Sequence, residues 1–463
     1  MTKLVDPIQG IWWLPGEHRR FRHGVLQQLK TGHFELTLRK AWRRDVMDTV
    51  DREERLTLLG KDDTGRPISL SGGFLKEHSL VTPESSPAIF HFDRVFLGAH
   101  FPDEDGAALT ELSARIPALD HWLGISGLTI DVLQPRRDLS IRFSQPDDLE
   151  FELEPGLKLV FGFDWQGPTL RRPQLEVSLR QEVWLILRAL PARNFRDLEI
   201  IFKRLLDLFS LLVGEPLGNE SFWGEATRAG TRSPKGEDGT ARIDILFAPI
   251  APELVDKIVE GHRMLLLFKD IETNCQTLFQ CWLEKYALYH SAFESYFAVQ
   301  RRDPAYQEQR FLSIVQSLET LHRLTNQIPI PEEHKKSLER IKERCSEDWE
   351  SLRLEEKLRH SHEPSLLRRL KDLLKPFADL FGNNKERGRL AQKTADTRNY
   401  LTHYDPEQGS KAVKPSRLTP YIYRLKILFL LHCLLQIGFT PDEARQHIEK
   451  NNILRRRVRF GKI

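Results

Sequence analysis

The spacing of apolar positions divides this chain into two halves. Over residues 1–180, apolar and polar side chains alternate in short runs, the period-two pattern of strands with one wet face. Glu150-Phe151-Glu152-Leu153-Glu154 and Glu176-Val177-Ser178-Leu179-Arg180 show it most clearly. The pattern predicts strands at 11–14, 25–29, 34–38, 68–70, 89–97, 128–132, 139–143, 149–153, 157–163 and 175–179. Lys30-Thr31-Gly32-His33 reads as a hairpin turn, and Lys61-Asp62-Asp63-Thr64-Gly65-Arg66-Pro67 as a polar turn before Ile68-Ser69-Leu70. Only residues 120–123 suggest a turn of helix. Many short strands between turn signals predict mostly antiparallel sheet, folded as a sandwich or a partly closed barrel.

From residue 181 the period lengthens. Phe195–Val213 carries Leu198, Ile201, Phe202, Leu205, Leu206, Leu208, Phe209 and Leu212 at helical spacing, and Gly214-Glu215-Pro216 ends it. Residues 214–242 are rich in Gly, Ser and charge and read as loop, with one more strand at 243–247. From 263 to 463 nearly everything reads as helix, in segments at 264–299, 306–324, 332–345, 352–358, 366–381, 387–404, 419–437 and 441–449. Trp282, Tyr286, Tyr289, Phe293 and Phe297 form a stripe that fits bundle core better than a cofactor site. The expectation is an α+β multidomain chain. A β-rich domain at 1–180 leads through a mixed connector at 181–262 into an all-α helix bundle at 263–463.

Composition narrows the class. A chain of 463 residues with 40% hydrophobic and 29% charged side chains has ample material for globular cores. Its net charge of only +3 excludes a generic polyanion binder, so any nucleic-acid contact must come from local patches. The four cysteines, Cys275, Cys281, Cys345 and Cys433, show no Cys-x-x-Cys pair and read as reduced thiols, not a zinc site or disulfide framework. The first residues lack a signal-peptide core, and the longest apolar run, 427–437, is too short to span a bilayer. The expectation is a cytoplasmic protein that does not engage membranes.

The chemistry concentrates near the C-terminus, in Thr397-Arg398-Asn399-Tyr400-Leu401-Thr402-His403-Tyr404-Asp405-Pro406. This reads as the last turns of a helix, stopped by Asp405-Pro406 because a residue before proline is pushed out of the helical region. Asn399 and His403 are four apart and share one face; Arg398 can reach the same side. A fixed cation, an amide and an imidazole are together the groups that hold a phosphate and move a proton beside it. Among sixteen histidines, only His403 has an arginine five positions earlier, though in a chain this rich in arginine the spacing alone is a weak signal. Basic residues lead into it: Arg387, Arg389 and Lys393 are candidate contacts to a phosphate-rich substrate, with further runs at Arg368-Arg369-Leu370-Lys371 and Arg455-Arg456-Arg457. The first half offers no comparable set. Its histidines lack metal-ligand spacing, and Trp12-Trp13 is either core or a ligand platform, with core favoured.

Arg398-Asn399-Tyr400-Leu401-Thr402-His403 resembles the Arg-x4-6-His motif of HEPN domains, including the polar residue after the arginine. Arg310-Phe311-Leu312-Ser313-Ile314-Val315-Gln316-Ser317-Leu318-Glu319-Thr320-Leu321-His322 resembles a helix of the ApeA-like HEPN branch, and Leu354-Glu355-Glu356-Lys357-Leu358 a further one. Gly10-Ile11-Trp12-Trp13-Leu14-Pro15 with Gly24-Val25-Leu26 resembles the opening of the ApeA N-terminal domain. The resemblance implies an anti-phage (abortive infection) protein and a metal-independent endoribonuclease without cofactor. Arg398, His403 and Asn399 would be its catalytic residues. It also implies a homo-oligomer, at least a HEPN dimer, whose β half senses a phage-derived activator and whose bundle cleaves host RNA, with tRNA the expected substrate. Glu319 and His322 read as packing or supporting residues. Two other readings remain. One is a non-catalytic HEPN adaptor that dimerises or binds RNA beside a ligand-sensing β domain. The other is a β ligand-binding domain using Trp12 and Trp13, fused to a helical oligomerisation module.

Overall fold

The computed structural model describes residues 4, 6–42, 55–78, 86–103, 107–133, 138–168, 177–218, 222–232, 238–247, 254, 258–301, 306–326, 331–345, 353–358, 361–404 and 409–459. Contacts divide the chain into two compact units, Met1–Gln280 and Cys281–Ile463.

In the first unit, six strands close a barrel. They are β1 (Ile8–Trp13), β2 (Arg22–Gln28), β3 (Phe34–Leu38), β4 (Leu56–Asp62), β5 (Pro67–His78) and β6 (Ala88–Phe92). The antiparallel ladder runs β1-β2-β3-β6-β5-β4 and returns to β1. The turn at 62–66 works through Asp62, whose carboxylate accepts from the backbone N–H of Thr64 and Arg66, with Gly65 at φ 85°. Alternate residues point inward: Phe34, Leu36 and Leu38 on β3, Ala88, Phe90 and Phe92 on β6, Leu56 and Leu58 on β4. Trp12 fills the centre with no exposed surface, and its indole N–H donates to the Gly24 carbonyl at 3.3 Å. Gly60 is required beneath that ring, since a Cβ there would lie 2.3 Å from Trp12 Cε3. Trp13 is also buried, edge-on to His100. Both tryptophans are therefore core.

The sheet continues beyond the barrel. From β5 it runs through β7 (Arg94–Leu97), β15 (Asp238–Phe247), β14 (Phe222–Arg232), β8 (Ala108–Arg115), β13 (Arg180–Asn194) and β12 (Leu157–Gln166) to β11 (Leu149–Glu154). Thus the stretch read from sequence as a connector, 181–262, contributes three strands to the same thirteen-stranded sheet. β14 and the first half of β15 lie in the Gly- and charge-rich stretch 214–242 read as loop, and the rest of β15 is the strand expected at 243–247. The strand expected at 175–179 is not seen where described: 177–179 carry no regular structure, and 175–176 lie outside the described residues. α1 is Ala118–Leu123. α2, Phe195–Val213, begins at Asn194, whose side chain accepts from the Arg196 N–H, and ends on Gly214 at φ 80°. Its apolar face buries Phe195, Phe202 and Phe209 against Phe96, Phe222 and Phe161 of the sheet. Residues after 263, read as the start of the bundle, join this unit instead: the Trp122 indole donates to the Leu266 carbonyl, and Phe268 of α3 (Phe268–Ile271) packs edge-on to Trp122.

The division between units falls within α4, Cys275–Arg301, which leaves helical geometry at Tyr289. In the second unit, α5 (Gln307–Thr325), α6 (Glu332–Arg344), α7 (Leu354–Leu358), α8 (Leu366–Leu374), α9 (Asn384–His403), α10 (Thr419–Gln436), α11 (Pro441–Lys450) and α12 (Asn452–Arg459) follow. α10 is apolar almost all round and correspondingly buried, with α5 along it and α11 and α12 packed beside it. The aromatic stripe is core, as its spacing predicts: Trp282 stacks on Phe293 at 5.0 Å, and Tyr296 on Phe429 at 4.1 Å. Among the described residues no helix is long and apolar enough to cross a membrane.

A polar cluster is buried among α5, α8 and α10. Arg369, only 3% exposed, donates to the Pro364 carbonyl at 3.0 Å and to Glu363 at 2.6 Å, with the His322 ring 3.5 Å away. Arg369, in one of the basic runs, is therefore withdrawn from any surface. His322 also faces Asp372 at 3.7 Å. Burial, reinforced by Arg369 and opposed by Asp372, holds its pKa below the ordinary value. Burial lowers His432 further, to about 4, against the Leu373 carbonyl its Nε2 contacts at 2.9 Å.

Two predictions follow from this packing. Trp12→Ala is expected to destabilise the barrel by about 3–5 kcal/mol, read as a lower urea midpoint in far-UV circular dichroism. An unchanged midpoint would show that the core does not depend on the ring. The second concerns pH. His432 takes up a proton more readily unfolded (about 6.5) than folded (about 4), so its contribution is complete above pH 6.5 and is lost as pH falls towards 4, by roughly 3 kcal/mol in all. His432→Phe should flatten that part of the stability curve; a variant losing stability between pH 7 and pH 5 as steeply as the parent would contradict it.

Candidate active site

α9 begins at Asn384, three residues before the start expected at 387, under a capping box. The Asn383 side chain accepts from the Glu386 N–H at 3.0 Å, and the Glu386 carboxylate accepts from the Asn383 N–H at 2.8 Å. Its buried face is Leu390, Ala391, Thr394, Ala395 and Thr397, mostly small side chains that let neighbouring helices approach closely. Followed one turn further, the same face reaches Arg398 and Asn399, both half-buried. A second turn brings it to His403, which is exposed. The helix ends at His403, with Tyr404 in the left-handed conformation; Asp405 and Pro406, the expected stop, lie outside the described residues.

Arg398 is oriented from two sides. Its Nη2 donates to Glu319 Oε2 on α5 at 3.0 Å, and its Nη1 to Asn399 Oδ1 at 3.2 Å. Arg398 and Glu319 retain 32% and 20% side-chain exposure, so the pair adds at most about 1 kcal/mol of stability. Its effect is directional. The guanidinium has five N–H donors, and the two bonds leave the planar fork able to meet phosphate oxygens. Asn399 is thus placed to hold the arginine rather than the imidazole. Thr397 anchors the chain alongside: its hydroxyl donates to the Lys393 carbonyl at 2.6 Å and accepts from the Val413 N–H at 2.9 Å.

Two of the flanking basic residues are engaged in hydrogen bonds of their own. Arg387 donates to the carbonyls of Ala378 and Gly382 and to Asn384 Oδ1, which ties down the turn before α9. Lys393 Nζ donates to the Lys411 carbonyl at 2.6 Å. Arg389 is exposed and acts electrostatically on Tyr421. Arg457 lies 5.0 Å over the Tyr423 ring, and Arg455 bonds Asn452.

Glu319 is the residue the motif could not supply, being 79 positions from Arg398. The resemblance of its helix had marked it as a packing or supporting residue, and its place in α5, a polar residue flanking the buried stripe Phe311, Ile314, Val315, Leu318 and Leu321, agrees with the supporting role. His322, three positions on, turns inward to the buried cluster and away from this chemistry.

Residues 7–282 match the family model of ApeA N-terminal domain 1, and residues 312–443 match that of Apea-like HEPN. No curated protein and no solved structure matches the chain. The first match spans more than half of the 463 residues, and the second contains Glu319, Arg398, Asn399 and His403. The two lie in the order seen throughout the fold, a β-rich unit followed by a helical one, and the chain belongs to the ApeA-like HEPN family of defence proteins.

Proposed function

We propose that this protein is a metal-independent endoribonuclease of anti-phage defence, with Arg398, Asn399 and His403 at its active site and the β-rich unit as its sensor. HEPN families generally carry ribonuclease activity, bind RNA and often dimerise. The observation that carries the reading is the arginine fork, held by Glu319 and Asn399 on the helix face that continues to an exposed imidazole. Cleavage by an RNA 2′-hydroxyl needs a base for its proton, an acid for the departing 5′-oxygen and cations around the pentacoordinate phosphate. An imidazole serves either proton-transfer role near neutrality. One chain supplies one such histidine in the motif, so two copies facing each other supply both. The histidine of one takes the 2′-hydroxyl proton as the oxygen attacks phosphorus. That of the other gives a proton to the 5′-oxygen as its bond to phosphorus breaks. Arg398 meets two non-bridging oxygens, and the products are a 2′,3′-cyclic phosphate and a 5′-hydroxyl. Host RNA, tRNA foremost, is the proposed substrate, and a viral component acting through the β unit the proposed trigger.

The test is cleavage of end-labelled tRNA and mRNA in EDTA, with and without infected-cell lysate. His403→Ala is expected to lower the rate by about 10²–10⁴-fold. Arg398→Lys should also lose rate, since an ammonium cannot replace a bidentate fork. Glu319→Ala, by releasing the guanidinium, should cost roughly tenfold, and Glu319→Gln less because its amide oxygen still accepts. Equal cutting by the parent and His403→Ala would remove His403 from the mechanism and defeat the reading.

A further inference from the structure

The residue after the motif is held at a cost and put to no structural use. Tyr404 closes α9 with φ 51° and ψ 32°, its N–H donating to the Tyr400 carbonyl at 2.6 Å. That left-handed cap position favours glycine, or at need asparagine, because a Cβ is crowded there. Among the described residues only Arg353 and Tyr404 are non-glycines with positive φ. Burial would account for a large side chain there, yet Tyr404 is 68% exposed. Its ring touches Tyr400, with centroids 5.7 Å apart and planes at 58°. Tyr400 is backed by Gly409, where an added Cβ would lie 3.2 Å from Tyr400 Cε2. The result is a supported aromatic ring, open to solvent, whose Cα is about 3.8 Å from that of His403.

We propose that Tyr404 is a stacking platform for an unpaired nucleobase next to the scissile phosphate. The inference rests on the ribonuclease reading. A nucleotide chain whose phosphate meets Arg398 and His403 carries its adjacent base past the end of α9, where this ring stands. Aromatic rings bind unpaired bases of any sequence through their π faces, so the platform selects for single-stranded segments and not for a particular base. A side chain from a second copy is the competing occupant. The base is favoured because the ring belongs to the residue that directly follows His403 and is a flat tyrosine where a cap alone would be served best by glycine.

The experiment uses the full-length chain carrying His403→Ala, which keeps the RNA intact, titrated with a single-stranded RNA oligonucleotide containing one 2-aminopurine. Binding should quench the probe. Adding Tyr404→Gly should weaken binding on the order of tenfold and abolish the quench while leaving Tm equal or higher, because glycine suits the cap. Tyr404→Trp should retain both affinity and quench. Undiminished affinity and quench in Tyr404→Gly would overturn the platform with RNA binding, and so the ribonuclease reading, left standing. Loss of binding together with dissociation of the oligomer in sedimentation would assign the ring to a subunit contact and overturn it too. No RNA binding by the His403→Ala parent would defeat the platform and the underlying reading together.

Discussion

The candidate site depends on how closely α9 approaches α5, because only that approach brings the Arg398 guanidinium to the Glu319 carboxylate. The ion pair does not create the approach. Two partly solvated charges gain too little to hold helices together. The small residues along α9 permit close packing: Ala391, Thr394, Ala395 and Thr397 are buried, and larger side chains there would hold neighbouring helices further off. The capping box at Asn383, the Arg387 bonds to the preceding turn and the Thr397 link to Val413 then fix where along its axis α9 begins and how the chain returns beside it. The pair is oriented by packing, and the arginine is in turn oriented by the pair.

The buried cluster behind the site follows a different energetic rule. Arg369 is almost fully enclosed, and an enclosed guanidinium is tolerable only when its donors are met. They are, by the Pro364 carbonyl and Glu363, and the residues that meet them pin the start of α8. Removing Glu363 would leave a buried charge without its counterion, which costs far more than the pair contributes intact. This asymmetry makes the cluster a strong constraint on helix placement without making it a large source of stability. It also separates the roles of the histidines. His322 and His432 are kept neutral by burial and act as packing and hydrogen-bonding groups, whereas His403 stands in solvent at a helix end where a substrate can reach it.

Much of this was legible in the sequence wherever the governing physics is local. α2 was read to the residue because its signals are adjacent: apolar spacing along 195–213 and Gly214 directly after it. The hairpin β2–β3 announced itself through Gly32, and the turn into β5 through Asp62-Asp63-Thr64-Gly65, though β4 before it carried no such signal. Barrel closure was only half visible, since the bond between β4 and β1 joins residues some fifty positions apart and no local pattern records it. β14 and the first half of β15 were missed because they lie in a stretch whose Gly and charged residues resemble loop, whereas the second half of β15 was legible as the strand at 243–247. The same limit explains the site. Arg398, Asn399 and His403 could be placed on one face from spacing alone. Glu319, and the carbonyl acceptors that occupy Arg387 and Lys393, depend on where other helices and loops arrive.

That division bears on how a nuclease of this kind can be kept safe for its own cell. On the proposed mechanism the reacting groups lie on one short helical stretch, but the motif brings one histidine per copy, and a reaction needing both a base and an acid is incomplete within it. Such an enzyme would act only once a second copy arrived in the correct orientation, which is a property of surfaces and not of the motif. A helix end with an arginine already held by Glu319 and Asn399 and an exposed imidazole suits that arrangement. Control of the proposed activity would then act on assembly.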